Sequence, residues 1–254
     1  MKISIITVCK NAENAIERTM LSVVTQSCFS ENIEYLIIDG ASTDKTVEII
    51  KQYTERYPIK WISEPDSGIY NAMNKGIKMA SGEIFYFLNA GDKLFDEKVI
   101  SLILKKFDES DFDFLYTDIL TCDFNSLSES KIKKFNHADK YFLFRDCICH
   151  QASFFKKNVI EKFGGFNEGF KLAADYEMLL KIMADKNLKK TYLPITAAYY
   201  DVTGISSTSE DIVKKERVEI QKHFYSSFEA FVYGSWIYQF ARRRLRKIGV
   251  KIYG

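Results

Sequence analysis

Four aspartates stand at or just beyond the ends of short apolar runs in the first 92 residues: Asp39, Asp44, Asp66 and Asp92. The last closes "FLNAGD" (87–92), where an apolar run stops and hands over one amide, Asn89, and one carboxylate, Asp92. Thr7, Val8 and Asn11 mark the end of the first run, and "IIDGASTDKT" (37–46) the end of the second. Acids gathered this way can hold a nucleoside or a hard cation. Neither a Gly-x-Gly-x-x-Gly turn nor a Walker loop is present to cradle phosphates with backbone N–H groups. A bound diphosphate would then need its charge met by a cation on a carboxylate. Gly91 permits a tight turn there and Asp92 supplies the oxygen. Asp44 reads instead as a helix cap.

The elements that must position these residues alternate. "ISIITV" (3–8), "EYLIID" (34–39), "IKWIS" (59–63) and "EIFYFLN" (83–89) are short and β-rich. Helical spacing marks Ala15–Val24, Val47–Tyr53 and Met73–Ala80 between them. Strand and helix in alternation predict βαβ units, and continuous apolar strands predict a parallel sheet covered on both faces. Such a sheet gathers the carboxyl ends of its strands along one edge, where ligands bind. The second half is less regular. Strands are expected over 112–120, 131–136, 150–157 and 191–202, helices over 173–186 and 209–224, and a glycine-broken loop over 161–170.

The chain has 254 residues, 46% of them hydrophobic, enough for a well-filled core. Five scattered cysteines fit free thiols in a reducing cytosol. Cys147-x-Cys149-His150 lacks the spacing of a zinc site. The amino terminus reads as a strand of the mature protein, and no run reaches the length of a spanning helix. Net charge is +2, yet residues 230–254 carry +6 and no acid, leaving −4 on residues 1–229. That distribution argues against a nucleic-acid binder. The aromatic "FEAFVYGSWIYQFA" (228–241) and the basic cluster from Arg242 to Lys251 suit an interfacial segment on anionic lipid.

Together "SIITVCKNA", "EYLIIDGASTDKT", "EPDSGIYNAMNKGIKMASGE" and "FLNAGD" resemble the nucleotide-sugar-binding half of the inverting family 2 glycosyltransferases. The resemblance implies an α/β GT-A fold with a mostly parallel central sheet, helices on both faces and a C-terminal helical tail. It implies a transferase domain over 1–224, divided into a donor half (1–100) and an acceptor half (101–224), followed by a basic amphipathic segment (225–254). It assigns Thr7, Val8 and Asp39 to the base and ribose, with Asn11, Asp66 and Asn89 on the donor side. Asp92 would hold Mn²⁺ or Mg²⁺, in an Asn-x-Gly-Asp form of the metal motif whose first position is more often an acid.

In the second half Asp175, in "KLAADYEML", resembles the family's base. A carboxylate at a helix start is stabilised as the anion. His150 and Gln151, in "CICHQASFF", would lie near sugar or acceptor. The expected reaction is inverting transfer of a hexose or hexosamine from a nucleotide diphosphate to a glycan or lipid-linked acceptor in cell-surface polysaccharide biosynthesis. The expected location is the cytoplasm, peripheral on the inner face of the membrane. Two rivals are a non-catalytic nucleotide-binding scaffold and a sugar nucleotidyltransferase, the latter disfavoured because "TVCKNAENA" has no basic glycine-rich loop.

Overall fold

A computed structural model describes residues 1–124, 126, 130–136, 138–204, 208–235 and 238. The whole basic cluster, Arg242 to Lys251, therefore lies outside the described residues.

The strands alternate side chains between two hydrophobic layers, which is why they read as unbroken apolar runs. In β1 (Ile3–Cys9), Ile3 and Ile5 enter one layer while Ile6 and Val8 enter the other. In β2 (Ile33–Asp39), Tyr35 and Ile37 join the first layer and Leu36 and Ile38 the second. Helix α1 (Ile16–Val24) covers the first face with Ile16, Met20 and Val23, spaced to share one stripe. A four-residue helix, α2 (Phe29–Asn32), leads into β2. Helix α3 (Thr46–Thr54) follows, then β3 (Ile59–Ser63) and α4 (Ile69–Met79) on the second face. Gly76 lets α4 lie close to the sheet: a Cβ there would stand 2.4 Å from the Ile6 side chain.

Strand β4 (Ile84–Phe87) completes a parallel set in the order β3-β2-β1-β4. Beyond it the sheet becomes mixed. Two-residue β5 (Lys93–Leu94), α5 (Val99–Glu109), β6 (Phe114–Cys122), β7 (Lys131–Lys133) and α6 (Lys140–Arg145) lead to a 3₁₀ turn, His150–Ala152. Then come β8 (Ser153–Lys156), α7 (Lys157–Phe163), α8 (Ala174–Ala184) and β9 (Lys190–Asp201). The full order is β3-β2-β1-β4-β8-β6-β9-β5, with β7 on the side of β6. Strand β8 runs antiparallel to both β4 and β6 and so welds the halves together. Tyr86 and Phe154, opposite each other in that pairing, stack with ring centroids 4.3 Å apart. Such a contact contributes about 1 kcal/mol beyond its area.

Two expectations shift in register. The strand expected over 150–157 begins only at Ser153, because His150–Ala152 coil into the 3₁₀ turn, and it gives way to α7 at Lys157. The loop expected over 161–170 begins only at Gly164, whose φ of 75° ends α7 in the left-handed region.

At the far end, α9 (Glu210–Phe224) and α10 (Ser227–Gly234) pack back on the domain. Tyr225 and Tyr233 meet Phe144 of α6 edge-on. No described helix is long and apolar enough to cross a membrane.

Candidate active site

The turn after β4 is built before any ligand arrives. Gly91 has φ of 110°, a conformation that disfavours every side chain, and Asp92 N–H closes the turn onto the Asn89 carbonyl at 3.1 Å. Thr19 of α1 clamps it. Its hydroxyl donates to the Asp92 carbonyl at 2.6 Å and accepts from Gly91 N–H at 3.0 Å. Arg18 adds its Nε to the Gly91 carbonyl at 2.8 Å and its Nη2 to Asp201 Oδ2 at 2.7 Å.

The Asp92 side chain is 5% exposed. Oδ1 accepts from Asp201 N–H at 2.9 Å and Oδ2 from Gln151 Nε2 at 2.7 Å. Burial pushes its carboxyl up to about 6 despite those two bonds.

Asp175 occupies the first turn of α8. Its Oδ1 accepts from Tyr70 hydroxyl at 2.9 Å and Tyr176 N–H at 2.8 Å, and Oδ2 faces His150 Nδ1 at 3.1 Å. Burial alone would raise this carboxyl. The bonds from His150, Tyr70 and Tyr176 outweigh burial and hold it below the usual carboxylate range. His150 Nε2 in turn meets Asn89 Nδ2 at 3.0 Å.

Two consecutive residues of the 3₁₀ turn therefore each hold one acid, His150 on Asp175 and Gln151 on Asp92. Tyr86 fixes that turn by donating its hydroxyl to the Gln151 carbonyl at 2.9 Å. Asp92, Asn89, His150, Gln151 and Asp175, separated by up to 86 positions in sequence, form one hydrogen-bonded group. Glu177, two residues on, pairs with Lys181 at 3.0 Å and takes no part in it.

The remaining donor-side residues are arranged differently. Asp39 is fully buried. Its carboxylate holds the following loop through Ser42 N–H and hydroxyl, and takes the Ser63 hydroxyl at 2.6 Å. A nucleoside reaching it would displace one of these hydroxyls. The Thr7 hydroxyl is committed to the Leu88 carbonyl at 2.8 Å and to Tyr35, and the Val8 side chain lies in the core. Asn11, at φ of 49°, ties its loop to Thr43 N–H at 2.9 Å. Asp66 lies against Gly40, where a Cβ would stand 2.2 Å from its Oδ2, and accepts from Gly68 N–H. Asp44 stands one residue before the N-cap, Lys45, and takes Thr46 N–H at 3.0 Å, so it holds the turn into α3 without being the cap itself. The structure joins Asn89, Asp92, His150, Gln151 and Asp175, while Thr7, Val8, Asn11, Asp39 and Asp66 belong to the neighbouring strand ends.

Residues 4–179 match the profile described as glycosyl transferase family 2. The chain belongs to that family. It is 27% identical over 217 residues to a PGL/p-HBAD biosynthesis glycosyltransferase of Mycobacterium bovis, a match covering 84% of this chain and 81% of that one. An uncharacterized glycosyltransferase of Mycobacterium tuberculosis is 36% identical over 99 residues, 39% of this chain; the match spans 37% of the relative's length. Among solved structures, Staphylococcus aureus TarS 1-349 in complex with UDP-GlcNAc superposes with a TM-score of 0.70 at 19% identity, covering 99% of this chain and 77% of that one. A mannosyltransferase from Pyrobaculum calidifontis in complex with GDP-Man and Mn²⁺ gives 0.66 at 16% identity, covering 98% and 75%. The fold of this family member is therefore GT-A.

Three contributors are not singled out by the sequence. Tyr70 precedes the helical spacing marked from Met73, and Arg18 falls inside the Ala15–Val24 run with no role assigned. Asp201 reads only as the end of an extended run. Its signal is nonetheless there, since it is another acid at the carboxyl end of a strand.

Proposed function

We propose that this glycosyltransferase moves one sugar, with inversion, from a nucleotide diphosphate to a hydroxyl of a glycan or lipid-linked acceptor in cell-surface polysaccharide synthesis. The observation that carries the reading is the His150–Gln151 turn, which holds the strand-tip acid and the helix-start acid side by side. One can then face the leaving diphosphate and the other the attacking hydroxyl.

Asp175 would take the acceptor's proton. Both lone-pair positions of Oδ1 are filled by Tyr70 and Tyr176, and Oδ2 has one left beyond the His150 bond. That position would receive the proton as the acceptor oxygen bonds to the anomeric carbon and the diphosphate departs. Tyr70 and Tyr176 hold the carboxylate still while this happens.

Mn²⁺ or Mg²⁺ would sit at Asp92. Among the described residues no three His, Cys, Asp or Glu side chains converge as a metal cage. The chemistry of the turn fits a hard cation nonetheless. Asn89 Oδ1 and Gln151 Oε1 are buried oxygens with no hydrogen-bond partner, carried by residues of the same hydrogen-bonded group as Asp92. A cation bound there would neutralise charge on the departing diphosphate. Asp39 and Asp66, on the adjoining strand ends, would meet the nucleoside.

The 225–254 segment would rest on an anionic membrane surface at the cytoplasmic face. Phe228 and Phe231, one turn apart on α10, are each 75% exposed, and the basic cluster follows them in sequence.

The deciding experiment is a screen of UDP- and GDP-sugars by thermal shift with and without Mn²⁺, followed by transfer assays with the stabilising donor. NMR of the product's anomeric proton should show inverted configuration. A retained configuration, or hydrolysis with no transfer to any polyol or lipid-linked acceptor, would remove this reading.

A further inference from the structure

Asn89 Oδ1 and Gln151 Oε1 stand unpaired in a buried place, and a buried acceptor left unsatisfied is unfavourable until a ligand meets it. Their orientation is imposed by the other end of each amide. The Asp92 carboxylate only accepts, so Gln151 must point its NH₂ at Asp92 and its oxygen away. For Asn89 the constraint is longer. The Asp175 carboxylate also only accepts, so His150 carries its proton on Nδ1. In the neutral ring Nε2 then bears the lone pair, and Asn89 must offer it NH₂, turning Oδ1 away from the imidazole.

We propose that Asp175 is a positioning residue for the cation site as well as the base: through the tautomer of His150 it sets which end of the Asn89 amide is presented beside Asp92. This rests on the cation reading of Asp92 given above and adds to it a coupling between the two walls. It also explains why an amide serves at position 89. A neutral side chain can be oriented by His150, and it presents oxygen on one side only because of that partner.

The consequence is a prediction about Asp175→Asn that a base alone does not make. Tyr176 N–H can only donate, so the substituted amide must keep its oxygen on the Tyr70–Tyr176 side and give its NH₂ to His150 Nδ1. The imidazole then carries its proton on Nε2. Asn89 must turn over to accept it, and an NH₂ group replaces Oδ1 in front of the cation. Restoring an oxygen that needs no orientation, by Asn89→Asp, should undo the defect.

The test is Mn²⁺ binding to the full chain, without nucleotide, by electron paramagnetic resonance. Asp92→Asn should abolish binding. Asp175→Asn should weaken it about tenfold, the lower end of what loss of an orienting partner costs a metal site. The Asp175→Asn, Asn89→Asp double variant should return to within about threefold of wild type on that same scale. If Asp92→Asn binds like wild type, the cation site itself is misplaced and the coupling falls with it. If Asp92→Asn is dead but Asp175→Asn binds like wild type, the coupling alone is overturned. The same holds if the double variant shows no recovery.

A measurement on the wild-type protein needs no variant. With three histidines in the chain, the ¹⁵N signals of the His150 ring can be assigned. A proton on Nδ1 alone supports the proposal, and a proton on Nε2, with or without one on Nδ1, ends it.

Discussion

Two buried carboxylates sit at opposite edges of the same sheet and are held in opposite ways. Glu34, at the amino end of β2, is 4% exposed and richly donated to. It receives the Ser4 hydroxyl at 2.6 Å, Ser81 N–H at 2.7 Å, the Ser81 hydroxyl at 2.8 Å and the Lys60 ammonium at 2.7 Å. Burial would raise its carboxyl, but Lys60 and the serines hold it at about 2. Asp92, at the carboxyl edge, has two donors and sits at about 6. One edge spends its acid on cohesion. The other keeps an acid short of partners, with two amide oxygens equally short beside it, where a ligand can complete the set.

The contrast breaks first if Asp175→Asn retains turnover. Loss of a positioned general base should lower transfer about a thousandfold, with the protein still folded. Assay with the stabilising donor, alongside a melting curve, checks both halves of that statement.

At the amino edge the effect should fall on stability instead. Glu34→Ala leaves the Ser4 hydroxyl and the Ser81 N–H without their acceptor and should cost about 3 kcal/mol in urea unfolding at pH 7 while transfer survives. The pH dependence has a definite sign. The folded carboxyl lies below its ordinary value, so its stabilisation is complete above about 4.5 and disappears as pH falls towards about 2.

Asp92→Asn should move the other way. The folded Asp92 carboxyl lies above its ordinary value, so ionising it opposes folding above about 6, and the penalty fades as pH falls towards 3.8. The variant should gain about 1–3 kcal/mol at pH 7, a gain that shrinks below about pH 6, while losing Mn²⁺ binding. A less stable variant at pH 7 would erase the contrast between the edges.

The smallest expected change concerns neither edge. Replacing Phe228 and Phe231 by Ser should alter stability by less than about 0.5 kcal/mol, since both face outward. It should reduce co-sedimentation with phosphatidylglycerol vesicles several-fold. Unchanged co-sedimentation would detach α10 from any membrane role.

The parallel half is legible in the sequence because each of its strands carries its own evidence. A short β-rich run such as Tyr35 to Ile38, set between helical segments, reads as a strand covered on both faces, and the edge where Asp39 and Asp92 stand follows from strand direction. The joining half is not legible in the same way. His150–Ala152 coil because Gln151 and His150 reach towards acids 59 and 25 residues away, and no local pattern announces such a partner. Asp39 shows the opposite failure. Its place at a strand tip follows from the apolar run before it, but nothing in the sequence shows that Ser42 and Ser63 already occupy its oxygens.

His150 and Gln151 are neighbours across a single trans peptide, so the Cα atoms that carry the two grips stand about 3.8 Å apart. That rigid unit acts as a caliper between Asp92 and Asp175. Lengthening it by one residue would leave each acid chemically intact and yet change the gauge that any reactant must fit, so tolerance of an insertion at this one bond measures how finely the enzyme is dimensioned.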